Sequence, residues 1–140
     1  MPRIRLAPLE SYSFSTDLQV RFTDLNYSGH LGNDRLLSLI QEARAGFLAH
    51  HGLSEVDFFG VSLIQSDAAV VYRKEAFAGD VLTFEVSARE PTRSGFRLFY
   101  RVTRSPGSEL IALVETGMVC FCYISRKVAQ LPKAANQILQ

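Results

Sequence analysis

The feature that most constrains this chain is a change of apolar period at Asn33. From there Leu36, Ile40, Ala43 and Phe47 recur on one stripe, widened by Leu37 and Leu48. The spacing predicts a helix of about five turns. Asn33 stands where an N-cap belongs, Asp34 sits where the helix dipole favours an anion, and Gly52 marks the far end. The opposite face is small rather than strongly charged: Ser38, Ala45, Gly46 and Ala49, with Arg35 and Glu42. Arg44 projects near the edge of the stripe. A helix covered on most sides, as by a curved sheet, accounts for that pattern.

The other regular segments read as strands. Asp17 to Thr23 alternates, with Leu18, Val20 and Phe22 on one face and Gln19, Arg21 and Thr23 on the other. Asn26-Tyr27-Ser28-Gly29 ends it with turn chemistry. After a connection from Leu53 to Gly60, strand signals occupy Val61 to Ala76, Val81 to Glu90, Phe96 to Arg104 and Leu110 to Ser125. Turns at Ala78-Gly79-Asp80, Arg93-Ser94-Gly95 and Ser105-Pro106-Gly107-Ser108 separate them. Residues 1–16 are predicted irregular, and the segment beyond Ser125, with Pro132, a loose tail. The result is an α+β domain, a long central helix wrapped by a curved antiparallel sheet of about five strands. At 140 residues the chain suffices for one domain, 1–140, with its core at about 17–125.

A net charge of +1 gives no electrostatic reason to expect nucleic acid or an anionic membrane as partner. No apolar run approaches the roughly 20 residues of a membrane span. The opening MPRIRLAPLE lacks a signal peptide's apolar centre, which points to the cytoplasm. Cys120 and Cys122 share one face of a strand, too close for an unstrained disulfide, and without further ligands at metal spacing; they read as small hydrophobes.

Chemistry concentrates in the turn before the helix. Asp24, Asn26, His30, Asn33 and Asp34 crowd together there, with Glu42 following on the helix. The pattern Asp24-x-Asn26-x-x-Gly29-His30-x-x-Asn33, then the helical Gln41-Glu42-Ala43-Arg44, resembles the hotdog-fold acyl-CoA thioesterases. The 4-hydroxybenzoyl-CoA thioesterase type is the nearest group, with short-chain acyl-CoA and plant acyl-carrier-protein thioesterases as relatives. The Tyr72 region and the Gly79-Asp80 turn also match that layout. The resemblance implies hydrolysis of a small or fatty acyl-CoA, or of an acyl-carrier-protein thioester, by water. It implies no cofactor, coenzyme A entering as part of the substrate. It implies a backbone N–H at or near Asn33 that polarises the thioester carbonyl, and a homodimer or dimer of dimers with sites between subunits.

One position departs from the pattern. Where many members carry a second Asp as nucleophile or base, this chain has Asn26, and a neutral amide cannot deprotonate water. Either another residue is the base, or the protein binds thioesters as a non-catalytic hotdog module. Asp24 is a base candidate or a brace for the turn. Asn26 orients water or simply forms the turn. His30 is a base with the Asp24 carboxylate behind it, or a structural histidine. Glu42 is the replacement carboxylate, or one half of an ion pair with an arginine. Arg73, Lys74, Arg93 and Arg97 are candidate cations for the coenzyme's phosphates, and Phe47, Phe58 and Phe59 a candidate floor for an acyl channel. His50 and His51 close the helix, where its terminal carbonyls favour them.

Overall fold

The computed structural model describes residues 3–140. Its elements are β1 (Phe14–Gln19), α1 (Asn33–His50), β2 (Ser62–Tyr72), β3 (Val81–Arg89), β4 (Gly95–Ser105), β5 (Glu109–Cys122) and a two-residue β6 (Lys127–Val128). The strands form one antiparallel sheet in the order β1-β3-β4-β5-β2, with β6 beside the end of β5. The long helix packs against one face of this sheet, as its apolar stripe requires: Leu36, Leu39, Ile40, Ala43, Phe47 and Leu48 are all buried. They meet Leu82, Phe84 and Val86 of β3, Leu98, Tyr100 and Val102 of β4, and Ala112 and Val114 of β5 in one core. Each such fully buried Leu or Phe contributes roughly 1.5–3 kcal/mol.

Four expectations are corrected. The first strand runs Phe14–Gln19 rather than Asp17 to Thr23, and Phe22–Asp24 curls into a short 3-10 turn. Val20 is the last residue held to the sheet edge, through Asp80 and Gly79. The Arg21 N–H then donates to the Asp24 carboxylate (2.8 Å), which bends the chain away and leaves Phe22 83% exposed. At the helix start, Gly32 takes the N-cap position and Asn33 is the first helical residue. A side chain at Gly32 would need space that Asp34 Oδ1 already occupies, 2.8 Å from where its Cβ would lie. The helix is covered on one side only, with Ser38, Gln41, Glu42, Ala45 and Ala49 exposed. The tail docks instead of fraying. Ala135 and Ile138 are buried, and the Gln140 N–H donates to the Ala88 carbonyl beyond the end of β1.

The core holds a buried arginine. Arg44 is 5% exposed and donates to Glu55 (2.6 Å), Gln65 (3.0 Å) and Tyr100 (3.4 Å). Tyr100 in turn shares a 2.9 Å bond with Thr116. Burial works against the Arg44 charge, but Tyr100 and Glu55 more than offset it, so the guanidinium titrates above its ordinary value. This chain of partners ties the helix to β2 where β2 shifts register between Gln65 and Asp67.

Candidate active site

Because β2 ends at Tyr72 while α1 begins at Asn33, the same end of the sheet receives the polar turn and the Arg73-Lys74-Glu75 segment. Leu31 N–H donates to the Ala76 carbonyl (2.7 Å) and Gly32 N–H to the Asp24 carbonyl (2.9 Å), stitching turn, helix start and loop together. Between them lies a cavity of about 300 Å³ lined by residues of all three, with Leu36 and Ile111 supplying apolar wall.

Three kinds of group meet there. Asn33 lines the cavity as the first helical residue; it, Asp34 and Arg35 have backbone N–H groups with no carbonyl a turn earlier to receive them, at the positive end of the helix dipole. His30 lies between two oxygens: Nε2 is 3.2 Å from Glu75 Oε2 and Nδ1 is 3.3 Å from the Leu31 carbonyl. With an oxygen acceptor beside each ring nitrogen, His30 is a holder of Glu75 more than a free base. The Glu75 side chain remains 63% exposed toward the cavity mouth, and Arg73 and Lys74 stand beside it.

The loop that carries Glu75 is fixed from behind. Arg104 donates to the Glu75 carbonyl (2.7 Å) and to Glu109 (3.1 Å), and pairs with Asp80. Across the cavity the Tyr72 hydroxyl donates to the Asn33 carbonyl (3.0 Å).

The residues singled out in the sequence are only partly gathered here. His30, Asn33, Arg73 and Lys74 line the cavity. Asp24 is beside it but 2% exposed and occupied by Arg21. Burial raises its pKa, yet the Arg21 N–H, the Arg21 guanidinium and Arg35 outweigh that and hold the carboxyl below the usual range. The carboxylate behind His30 is Glu75, not Asp24. The Asn26 amide oxygen accepts the Ser28 N–H (2.9 Å) within its own turn. Glu42 is nine residues along the helix from Asn33, about 13 Å by helical rise, in a separate groove with Arg21 and Ser38. Arg93 sits at the opposite end of the sheet, in the β3–β4 turn, where its carbonyl accepts the Leu131 N–H. Phe47 is sealed in the core, and Phe59 packs on Phe58 near it; neither reaches the cavity. Arg97 bonds Asp67 and Glu115 on the outer face.

Glu75, Tyr72 and Arg104 were missed as site residues. Tyr72 lay in a region already matched to the family layout, and the signal for Glu75 was the polar run Tyr72-Arg73-Lys74-Glu75 interrupting an apolar strand; nothing local pointed to Arg104. Among the described residues no group of three His, Cys, Asp or Glu side chains is placed to hold a metal, and no helix is long and apolar enough to cross a membrane.

Comparison with known proteins agrees with the fold. The model of the thioesterase-like superfamily matches residues 20–139. A 1,4-dihydroxy-2-naphthoyl-CoA hydrolase of Synechococcus elongatus is 28% identical over 125 residues, covering 86% of this chain and 90% of the relative. That of Synechocystis sp. is 25% identical over 126 residues, with 86% and 90% covered. Among solved structures, the 1,4-dihydroxy-2-naphthoyl-CoA thioesterase from Synechocystis superposes with a TM-score of 0.81 at 22% identity, covering 90% of this chain and 94% of its own. A Staphylococcus aureus protein crystallised in complex with CoA gives 0.79 at 17% identity, with 94% and 84% covered. The polar turn and the long helix both fall inside the matched region, and the chain belongs to the thioesterase-like superfamily, with its hotdog fold.

Proposed function

We propose that the chain hydrolyses an acyl-CoA thioester in the cavity at the start of α1. One observation carries the reading: Asn33 at the open start of α1, a His30–Glu75 pair and two cations line one cavity. The carbonyl oxygen of the thioester accepts from the N–H groups of Asn33 to Arg35, which stabilise the negative charge that grows there. Glu75, oriented by His30, takes a proton from water as the water oxygen bonds to the carbonyl carbon. Collapse of the tetrahedral adduct breaks the carbon–sulfur bond, and the thiolate leaves readily because a simple thiol has a pKa near 8.5. Arg73 and Lys74 suit the coenzyme's phosphates. The aromatic acyl group named for the cyanobacterial relatives is the first substrate to try.

Two copies complete the picture. The open side of α1 and the unpaired edge of β2 are surfaces that a second chain would cover. In a dimer the partner's groove could bring a carboxylate near this cavity, which is the remaining route for Glu42 to act. The experiment is thiol release from a panel of aromatic and aliphatic acyl-CoAs, with sedimentation to give the assembly. Release with at least one substrate supports hydrolysis. Calorimetric binding without release favours the non-catalytic module, for which the Asn26 amide, closed into its own turn, is the supporting observation.

A further inference from the structure

The Tyr72 hydroxyl does something that the hydrolytic scheme has not used. It spans from the last residue of β2 to the first residue of α1 and donates to the Asn33 carbonyl (3.0 Å). That carbonyl belongs to the same peptide unit as the Asp34 N–H, one of the helix-start donors with no carbonyl a turn earlier to receive it. Hydrogen bonds in series polarise one another, strengthening each by about 10–30%. A proton donated to the oxygen of a peptide therefore makes its N–H a better donor.

We infer that Tyr72 is a positioning residue for catalysis, strengthening the Asp34 N–H as an oxyanion donor. The inference rests on the hydrolase reading above. Its surroundings suit the role. The cavity's ionisable lining is His30 in the turn and Arg73, Lys74 and Glu75 on the adjoining loop, and the Asp34 carboxylate on the helix acts on the phenol. Burial, and then the Asp34 carboxylate, push the phenol above the ordinary tyrosine value, so the hydroxyl stays protonated and donating at neutral pH.

The role differs from that of a structural tether. A tether lost would lower stability and disturb substrate binding and turnover together. A donor weakened only in the transition state lowers kcat and leaves KM alone. Removing a whole oxyanion donor typically costs 10²–10³ in kcat; weakening one should cost less, about three- to tenfold.

The test uses full-length protein and the best acyl-CoA from the panel. Tyr72→Phe is expected to lower kcat about three- to tenfold, with KM within about twofold and an unchanged melting temperature. Replacing Tyr72 by 3-fluorotyrosine, a stronger donor of nearly the same shape, is expected to keep or raise kcat. The inference is overturned if Tyr72→Phe keeps wild-type kcat. It is also overturned if kcat, KM and melting temperature all move together, or if the fluorinated protein is as slow as Tyr72→Phe. Wild-type protein that releases no thiol from any substrate overturns the hydrolase reading and this inference with it; a hydrolysing wild type with an indifferent Tyr72→Phe overturns this inference alone.

Discussion

The two ends of α1 are finished in opposite ways. At the far end Gly52, Leu53 and His51 return their N–H groups to the carbonyls of Ala49 and Leu48, so the last turn is closed by backbone. Aromatic rings seal it: Phe14 lies edge-on to Phe47 at 6.0 Å, His51 meets Phe47 at 5.1 Å, and Phe58 stacks on Phe96 at 5.4 Å. At the near end no side chain caps the helix, and its neighbours are a histidine, a glutamate and two cations around a cavity. One end maximises contact and the other leaves donors unspent. Stability and chemistry are thus separated along one rod, and a substitution at each end should report on only one of them.

The largest effect expected at the open end is on rate. Glu75→Gln keeps the shape but cannot accept a proton, and should lower hydrolysis by about 10²–10⁴-fold with the melting temperature little changed. Full activity in that variant would break the contrast and return attention to Glu42. At the sealed end Phe47→Ala should cost about 3–5 kcal/mol in denaturant unfolding, because the ring is fully buried and its neighbours relax only partly. The enzyme that remains folded should keep its KM.

Asp24 sits between the two regimes and sharpens the boundary. Asp24→Asn should cost about 1.5–3 kcal/mol, the usual worth of a bond to a charged group. The sign with pH follows from its depressed titration. Its stabilisation is complete above the ordinary value of 3.8 and is lost as pH falls through the lower, folded value. Acid unfolding of the variant should therefore be flatter below about pH 4 than that of the wild type. A large rate loss with little change in acid stability would make Asp24 catalytic after all. The smallest effect concerns the thiols. Burial pushes Cys120 up to about 11, whereas Ser125 and the Ile124 backbone pull Cys122 below its ordinary value. A thiol reagent at neutral pH should label Cys122 in the native protein and Cys120 only after unfolding.

Much of the architecture was readable one segment at a time. The period of α1, the alternation of β3 and the turn at Gly79-Asp80 each depend on neighbours a few residues away, and each lies where local spacing put it. The failures were also local. At Phe22 the bond from the Arg21 N–H to the Asp24 carboxylate overrode an alternating pattern, and at the helix start the cap fell on Gly32, one residue before Asn33. Phe47, placed near an acyl channel on the strength of its aromatic ring, turned out to serve the core, because composition does not reveal which end of a helix stays open.

What the chain determined unaided was its set of elements, since helix and strand periods are properties of adjacent residues. Only the tertiary structure decided which acid would face His30. Glu75 and His30 are distant in sequence, and they meet because the Leu31 N–H bonds the Ala76 carbonyl in the loop after β2 and Arg104, on another strand, holds that loop in place. That adjacency depends on strand order and loop closure, which no local pattern encodes.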